Sequence, residues 1–172
     1  MKSVALLSCC FFFVFAHAQN NGQLPCSAKE NAQFDFWMGD WNLTWSDSIH
    51  GTNHIEKIFG NCTLQENFND PTTNYSGKSW TVYNPNYKIW QQTWVDNQGG
   101  YIDLTGNMKG DSMILTTAEK TVPLKLSPTG KLVSRMVFHH IKPDSFDWSW
   151  ESSTNGGLSW KNSWLIHYER KK

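Results

Sequence analysis

The chain has 172 residues, with 15 basic and 15 acidic side chains, 39% apolar residues and only 17% charged ones, a length that fits about one domain. A formal net charge of zero, with Arg135 and Arg170 the only arginines, excludes the clustered basic footprint by which nucleic-acid and anionic-membrane binders neutralise phosphate. Ten tryptophans and ten phenylalanines leave a large aromatic surface to bury.

Lys2, an apolar run from Val4 to Phe15 and the triplet Ala16-His17-Ala18 follow one another as the charged, apolar and small-x-small regions of a secretory signal peptide. This predicts a signal over residues 1–18, cleaved before Gln19, and a mature chain in the periplasm or outside the cell. The apolar run is about twelve residues, short of the ~20 that span a bilayer, and no later stretch approaches that length, so membrane insertion is not expected. Leu6-Leu7-Ser8-Cys9 has the form of a lipoprotein box but leaves almost no apolar region ahead of Cys9, which argues against lipidation. Cys9 and Cys10 leave with the signal. Cys26 and Cys62 remain, and in an oxidising compartment such a minimal pair is expected to be bridged. Neither stands in a CxxC or at ligand spacing from a histidine, so thiol redox chemistry and zinc binding have no support.

A leader over 19–27 precedes the folded domain, 28–172. Ser27-Ala28-Lys29-Glu30 has the capping-box pattern and predicts a short helix from Ala28 to about Phe36. Beyond Trp41, segments rich in Trp, Tyr, Ile, Val and Thr are punctuated by Gly, Asn, Asp and Pro turns. They predict strands near 41–47, 52–59, 62–69, 75–84, 88–96, 100–106, 112–118, 132–141, 145–153 and 160–169. Alternation puts Trp41, Leu43 and Trp45 on one face, Phe146, Trp148 and Trp150 on another, and Trp160, Trp164, Ile166 and Tyr168 inward. About ten strands, each with one wet face, fit an all-β, antiparallel up-and-down barrel better than an open sheet, because closure abolishes exposed edges.

Phe34-Asp35-Phe36-Trp37-Met38-Gly39-Asp40-Trp41 is the most specific string. Its Gly39-Asp40-Trp41 resembles the G-x-W that opens the first strand of lipocalins. With Gly60 to Asn67, Gln92 to Asp96, Ser153 to Trp160 and Tyr168 to Lys171, the chain resembles an uncharacterised family of exported bacterial proteins with a lipocalin-like (calycin) barrel. That resemblance implies a fold and no established activity. It also implies a structural contact between Trp41 and Arg170 at the closed end of the barrel. Some related barrels hold haem through a histidine near the last strand, but His167 has outward parity here, and no cofactor is expected. Ser153 to Trp160 is similar to an Asp-box with Asn155 in place of Asp, which reads as a hairpin turn.

Glu66 shares a face with Cys62, Leu64 and Phe68, and a carboxylate inside an apolar barrel needs a partner or a proton. Arg135 is the obvious partner, as a structural ion pair; otherwise Glu66 faces a ligand. Trp90 and Trp94 share a face with Gln92 and Asp96. If that face points inward, the barrel holds an aromatic pocket with a few polar groups, the composition of a small-molecule site. The expected ligand-binding set is Glu66, Trp80, Tyr83, Trp90, Gln92, Trp94 and Arg135. No catalytic motif occurs, and His139 and His140, neighbours in a strand, point to opposite faces, so no metal site is expected. Non-enzymatic binding of a small, partly apolar molecule is the favoured reading. A carbohydrate-binding or carbohydrate-processing module, or a solid structural barrel without a ligand, are the alternatives. Exposure of the aromatic residues separates them.

Overall fold

The computed structural model describes residues 25–45, 48–117, 126–127 and 130–172; the expected signal peptide and most of the leader lie outside them. Ten antiparallel strands close into one barrel. They are β1 (Gly39–Trp45), β2 (Ser48–Ile58), β3 (Thr63–Asp70), β4 (Tyr75–Asn84), β5 (Ile89–Asp96), β6 (Tyr101–Lys109), β7 (Ser112–Thr117), β10 (Val133–His139), β11 (Ser145–Ser153) and β12 (Lys161–Arg170). β8 (Leu126–Ser127) and β9 (Gly130–Lys131) form a separate two-stranded hairpin between β7 and β10. Every barrel strand lies beside its neighbours in the chain, and β12 returns to pair with β1, Trp41 opposite Arg170.

The expected α-helix over 28–36 is instead two 3-10 turns, Lys29–Ala32 and Asp35–Trp37. Ala28, the residue that starts the first turn, offers no side-chain cap. Packing supplies the reason. Phe34 and Phe36 both meet the Phe138 ring, at 5.4 and 5.7 Å, whereas residues two apart on an α-helix do not face the same way. Phe34 and Trp37 are fully buried and plug one end of the barrel against Trp90 and Phe138. The Cys26–Cys62 disulfide ties this plug to the turn before β3.

Arg170 closes the same end. Its guanidinium carbon sits 4.2 Å from the Trp41 ring centroid, and its nitrogens donate to the carbonyls of Met38 and Pro143 at 2.8 and 2.9 Å. Gly39 is required beside it. Its φ is 108°, and a Cβ there would stand 2.7 Å from Arg170 Nη1, so both the backbone and the space favour glycine.

Trp41, Leu43, Phe146, Ile166 and Tyr168 face inward and are buried, as alternation requires. Trp160 departs from its expected inward place. It precedes β12, and the register between β11 and β12 shifts at Trp150/Glu151. The ring ends beneath the Arg135 guanidinium, 4.0 Å from it.

Candidate ligand cavity

The plugged end is filled by side chains, and the rest of the interior is not. A cavity of about 240 Å³ lies between the plug and the far end. Its deep wall is formed by Trp37, Leu104, Ile166 and Tyr168, with the polar Glu66 and Gln92. Toward the far end the lining becomes aromatic and only half-buried, with Tyr75, Trp94, Trp148, Trp150 and Trp164 around Phe68. Gly77 makes room for one of these rings: a Cβ there would lie 2.1 Å from Trp94 Cζ2, so the indole rests directly on the β4 backbone.

Strand pairing gathers the polar groups. Glu66 on β3 is opposite Ser79 on β4, and Thr81 on β4 is opposite Gln92 on β5. Gln92 Nε2 donates to Thr81 Oγ1 at 2.9 Å and to Ser79 Oγ at 3.2 Å; Ser79 Oγ donates to Glu66 Oε2 at 2.6 Å. On the other side Asn53 Nδ2 donates to Glu66 Oε1 at 2.7 Å and to the Tyr168 hydroxyl at 3.2 Å. Because Ser79 spends its hydrogen on Glu66, it accepts from Gln92, which fixes the Gln92 amide with its oxygen turned away. Gln92 Oε1 and Trp37 Nε1 are buried without a partner. Such groups are rare in folded chains and each calls for an explanation.

Burial pushes the Glu66 carboxyl up from an ordinary 4.5 to about 6, against the lowering effect of the Ser79 and Asn53 hydrogen bonds. Burial, with the Glu66 charge second, also drives the Tyr168 hydroxyl upward. Tyr75, nearer the mouth, is raised to about 12 by burial and by its hydrogen bond to Asp96. Asp96 itself accepts from the Gln98 and Gly100 amides and serves its hairpin turn.

The folded chain therefore holds the Glu66 proton more tightly than the unfolded one. This group favours folding below pH 4.5 by about 2 kcal/mol relative to its contribution above pH 6. Glu66→Gln keeps the shape and removes the titration: its Oε1 can still accept from Asn53 Nδ2, and its new amide can donate to Ser79 Oγ, which has a second lone pair beside the one that accepts from Gln92. At pH 7 the variant is expected to exceed wild type in stability by up to about 2 kcal/mol, an advantage that vanishes by pH 4.5. Urea denaturation at the two pH values checks this; a variant less stable at pH 7 would mean that the hydrogen bonds to the carboxylate outweigh its desolvation.

Three of the expected site residues, Glu66, Gln92 and Trp94, meet in the cavity. Trp90 faces inward but belongs to the plug, fully buried at 4.8 Å from Phe34 and donating to Gln33 Oε1 at 2.9 Å. Tyr83 packs on Trp90, at 5.5 Å, and not on the cavity. Two assignments are overturned. Trp80 is 38% exposed on the outer wall, because the inward positions of β4 are Gly77, Ser79 and Thr81. Arg135 does not meet Glu66: Met136 and Phe138 take the inward face of β10, and Arg135 pairs outside with Glu151, both Nε and Nη2 at 2.6 Å from Oε2. Ser79, Thr81, Asn53 and Tyr168 are the polar groups that sequence reasoning missed.

Trp80 is the only one of the ten tryptophans that is exposed, so there is no outer row of coplanar indoles for a sugar. In the Asp-box-like hairpin, Asn155 Oδ1 accepts from the Ser159 amide at 3.0 Å and the Ser153 hydroxyl at 2.8 Å, the work of a turn. The chain matches no protein-family model and no curated protein. What the fold and interior define is a closed antiparallel β-barrel with an aromatic cavity.

Proposed function

We propose that the protein is an exported, lipocalin-like barrel that holds one small, partly apolar molecule in this cavity without transforming it. The observation that carries the reading is an aromatic enclosure backed by polar groups, two of which, Gln92 Oε1 and Trp37 Nε1, have no protein partner. Both atoms are closed off just beneath the cavity surface, so a molecule offering one donor and one acceptor completes them once the Gln92 and Trp37 side chains turn toward it. Apolar walls with a few placed polar groups are the usual make-up of ligand sites. At about 240 Å³ the space is below the 300–1,000 Å³ common for drug-sized ligands, so the ligand is a compact one. Membership of the exported bacterial family suggested by the Phe34 to Trp41 string is part of this proposal. Export is supported by the signal-like first eighteen residues and by the Cys26–Cys62 bridge, which needs an oxidising compartment. No helix among the described residues is long and apolar enough to cross a membrane.

Trp94, Trp148, Trp150 and Trp164 line the cavity, so their fluorescence reports occupancy. Titration with small ring compounds, with and without a polar substituent, is expected to give saturable one-to-one binding for the polar members. Gln92→Leu removes the acceptor and is expected to weaken them by roughly 1–2 kcal/mol while sparing the purely apolar members. Absence of saturable binding across the panel would contradict the reading.

A further inference from the structure

The outer wall near the Arg170-closed end carries a cluster that the cavity does not use. His139, Asp147 and His167 stand directly opposite one another across β10, β11 and β12, which puts their side chains in one row on one face. The sequence pattern separates His139 from His140 as strand neighbours on opposite faces, and the structure overturns this. β10 ends at His139, and His140 turns with a φ of 52°, a left-handed conformation that histidine enters more readily than most residues. The turn brings its imidazole back over the outer face. His140 Nδ1 lies 3.2 Å from His139 Nδ1 and 2.8 Å from Asp147 Oδ2. One ligand atom from each of the three residues falls within 4.8 Å of the others. The second carboxylate oxygen, Asp147 Oδ1, is held by His167 Nδ1 at 2.7 Å.

We propose that His139, His140 and Asp147 form a binding site for a divalent transition-metal ion, with His167 as the residue that orients the carboxylate. Two imidazoles and one carboxylate are the donor types that zinc and its neighbours select. Donor atoms 2.0–2.1 Å from a tetrahedral ion are about 3.3 Å apart. The His140–His139 and His140–Asp147 separations therefore need to open by a few tenths of an ångström, and the remaining one, within 4.8 Å, closes as the His139 ring and the exposed His140 ring turn toward the ion. The His140 side chain is 74% exposed, so an ion reaches the site from solvent and its remaining positions fall to water. Each imidazole binds through Nδ1 once that nitrogen is free of its proton, with the other proton kept on Nε2. A carboxylate locked on its far oxygen by a histidine is the kind of outer partner that holds metal ligands in place.

Zinc chloride alone, titrated into the disulfide-bonded chain in a calorimeter, tests the site, with cobalt(II) absorption as a reporter of nitrogen and oxygen coordination. Wild type is expected to bind one ion per chain in the micromolar range. The double variant His139→Ala/His140→Ala is expected to lose at least about tenfold in affinity together with the cobalt signal, and His167→Ala to weaken it about tenfold with the signal retained. His54→Ala, at the separate pair with Asp40, is the control and is expected to bind as wild type does. All four substitutions are on the outer wall, and circular dichroism confirms each fold. Equal zinc binding by wild type and the double variant, or equal losses in the double variant and His54→Ala, would overturn the proposal. No residue is shared with the cavity, so neither outcome bears on the small-molecule reading.

Discussion

Trp41→Ala is expected to cost about 3–5 kcal/mol in folding stability. The indole is completely buried, edge-on to Phe146 at 5.0 Å and to Tyr168 at 6.1 Å, and its Nε1 donates to the Trp37 carbonyl at 2.8 Å. Removing it opens a cavity where β1 and β12 close the barrel, frees the carbonyl that anchors the plug, and strips the Arg170 guanidinium of the ring beneath it. Interiors relax only partly around such a loss, so transfer and cavity terms add. Trp41→Phe keeps a ring for Phe146 and Arg170 and loses the hydrogen bond, which separates packing from the polar contact; its cost is expected to be smaller by half or more. Urea denaturation of the three proteins gives the comparison. A Trp41→Ala cost under ~1 kcal/mol would show that the barrel does not depend on this closure.

Loss of the disulfide is expected to be as severe. The bridge spans 36 positions, and the loop-entropy relation puts its contribution at about 4 kcal/mol. Cys26→Ser/Cys62→Ser keeps size and removes the constraint. The tether also acts locally, because the plug residues Phe34 and Trp37 follow it within a dozen positions and the 3-10 turns that present them are too short to be stable alone. Protease cleavage between Cys26 and Met38 is therefore expected to rise in the double variant before global unfolding does. Equal stability of the oxidised, reduced and substituted chains would contradict this.

Barrel closure was legible because most strands carry one apolar face. Parity on β1, β11 and β12 placed Trp41, Phe146, Trp148, Trp150 and Tyr168 inward, where they are. The site was harder to read, since in the middle of β4 the inward residues are polar and the outward ones apolar. Ser79 and Thr81 face the cavity network while Trp80 and Val82 face out, so hydrophobic alternation points the wrong way there. On β10, Val133, Arg135 and Val137 compete with Met136 and Phe138, and only the plug rings that need Phe138 decide the outcome. Glu66 was recognisable as a charge out of pattern. Its partners Asn53 and Ser79 were not, because a polar residue at inward parity looks the same in sequence as one on a wet face. His140 was assigned to the wrong face for a different reason: the strand ends one residue before it, a boundary that alternation does not mark.

The most direct measurement of a ligand-holding barrel is native mass spectrometry on the disulfide-bonded chain beside Ile102→Trp. Ile102 lines the cavity opposite Trp94, and an indole in its place fills the space while the barrel, checked by circular dichroism, stays closed. Wild type, purified or loaded with the tightest compound from the fluorescence panel, is expected to carry one non-covalent small molecule that leaves on denaturation, and Ile102→Trp is expected to be bare. The same adduct on both proteins, or none on either, would contradict the assignment of the cavity as a binding site.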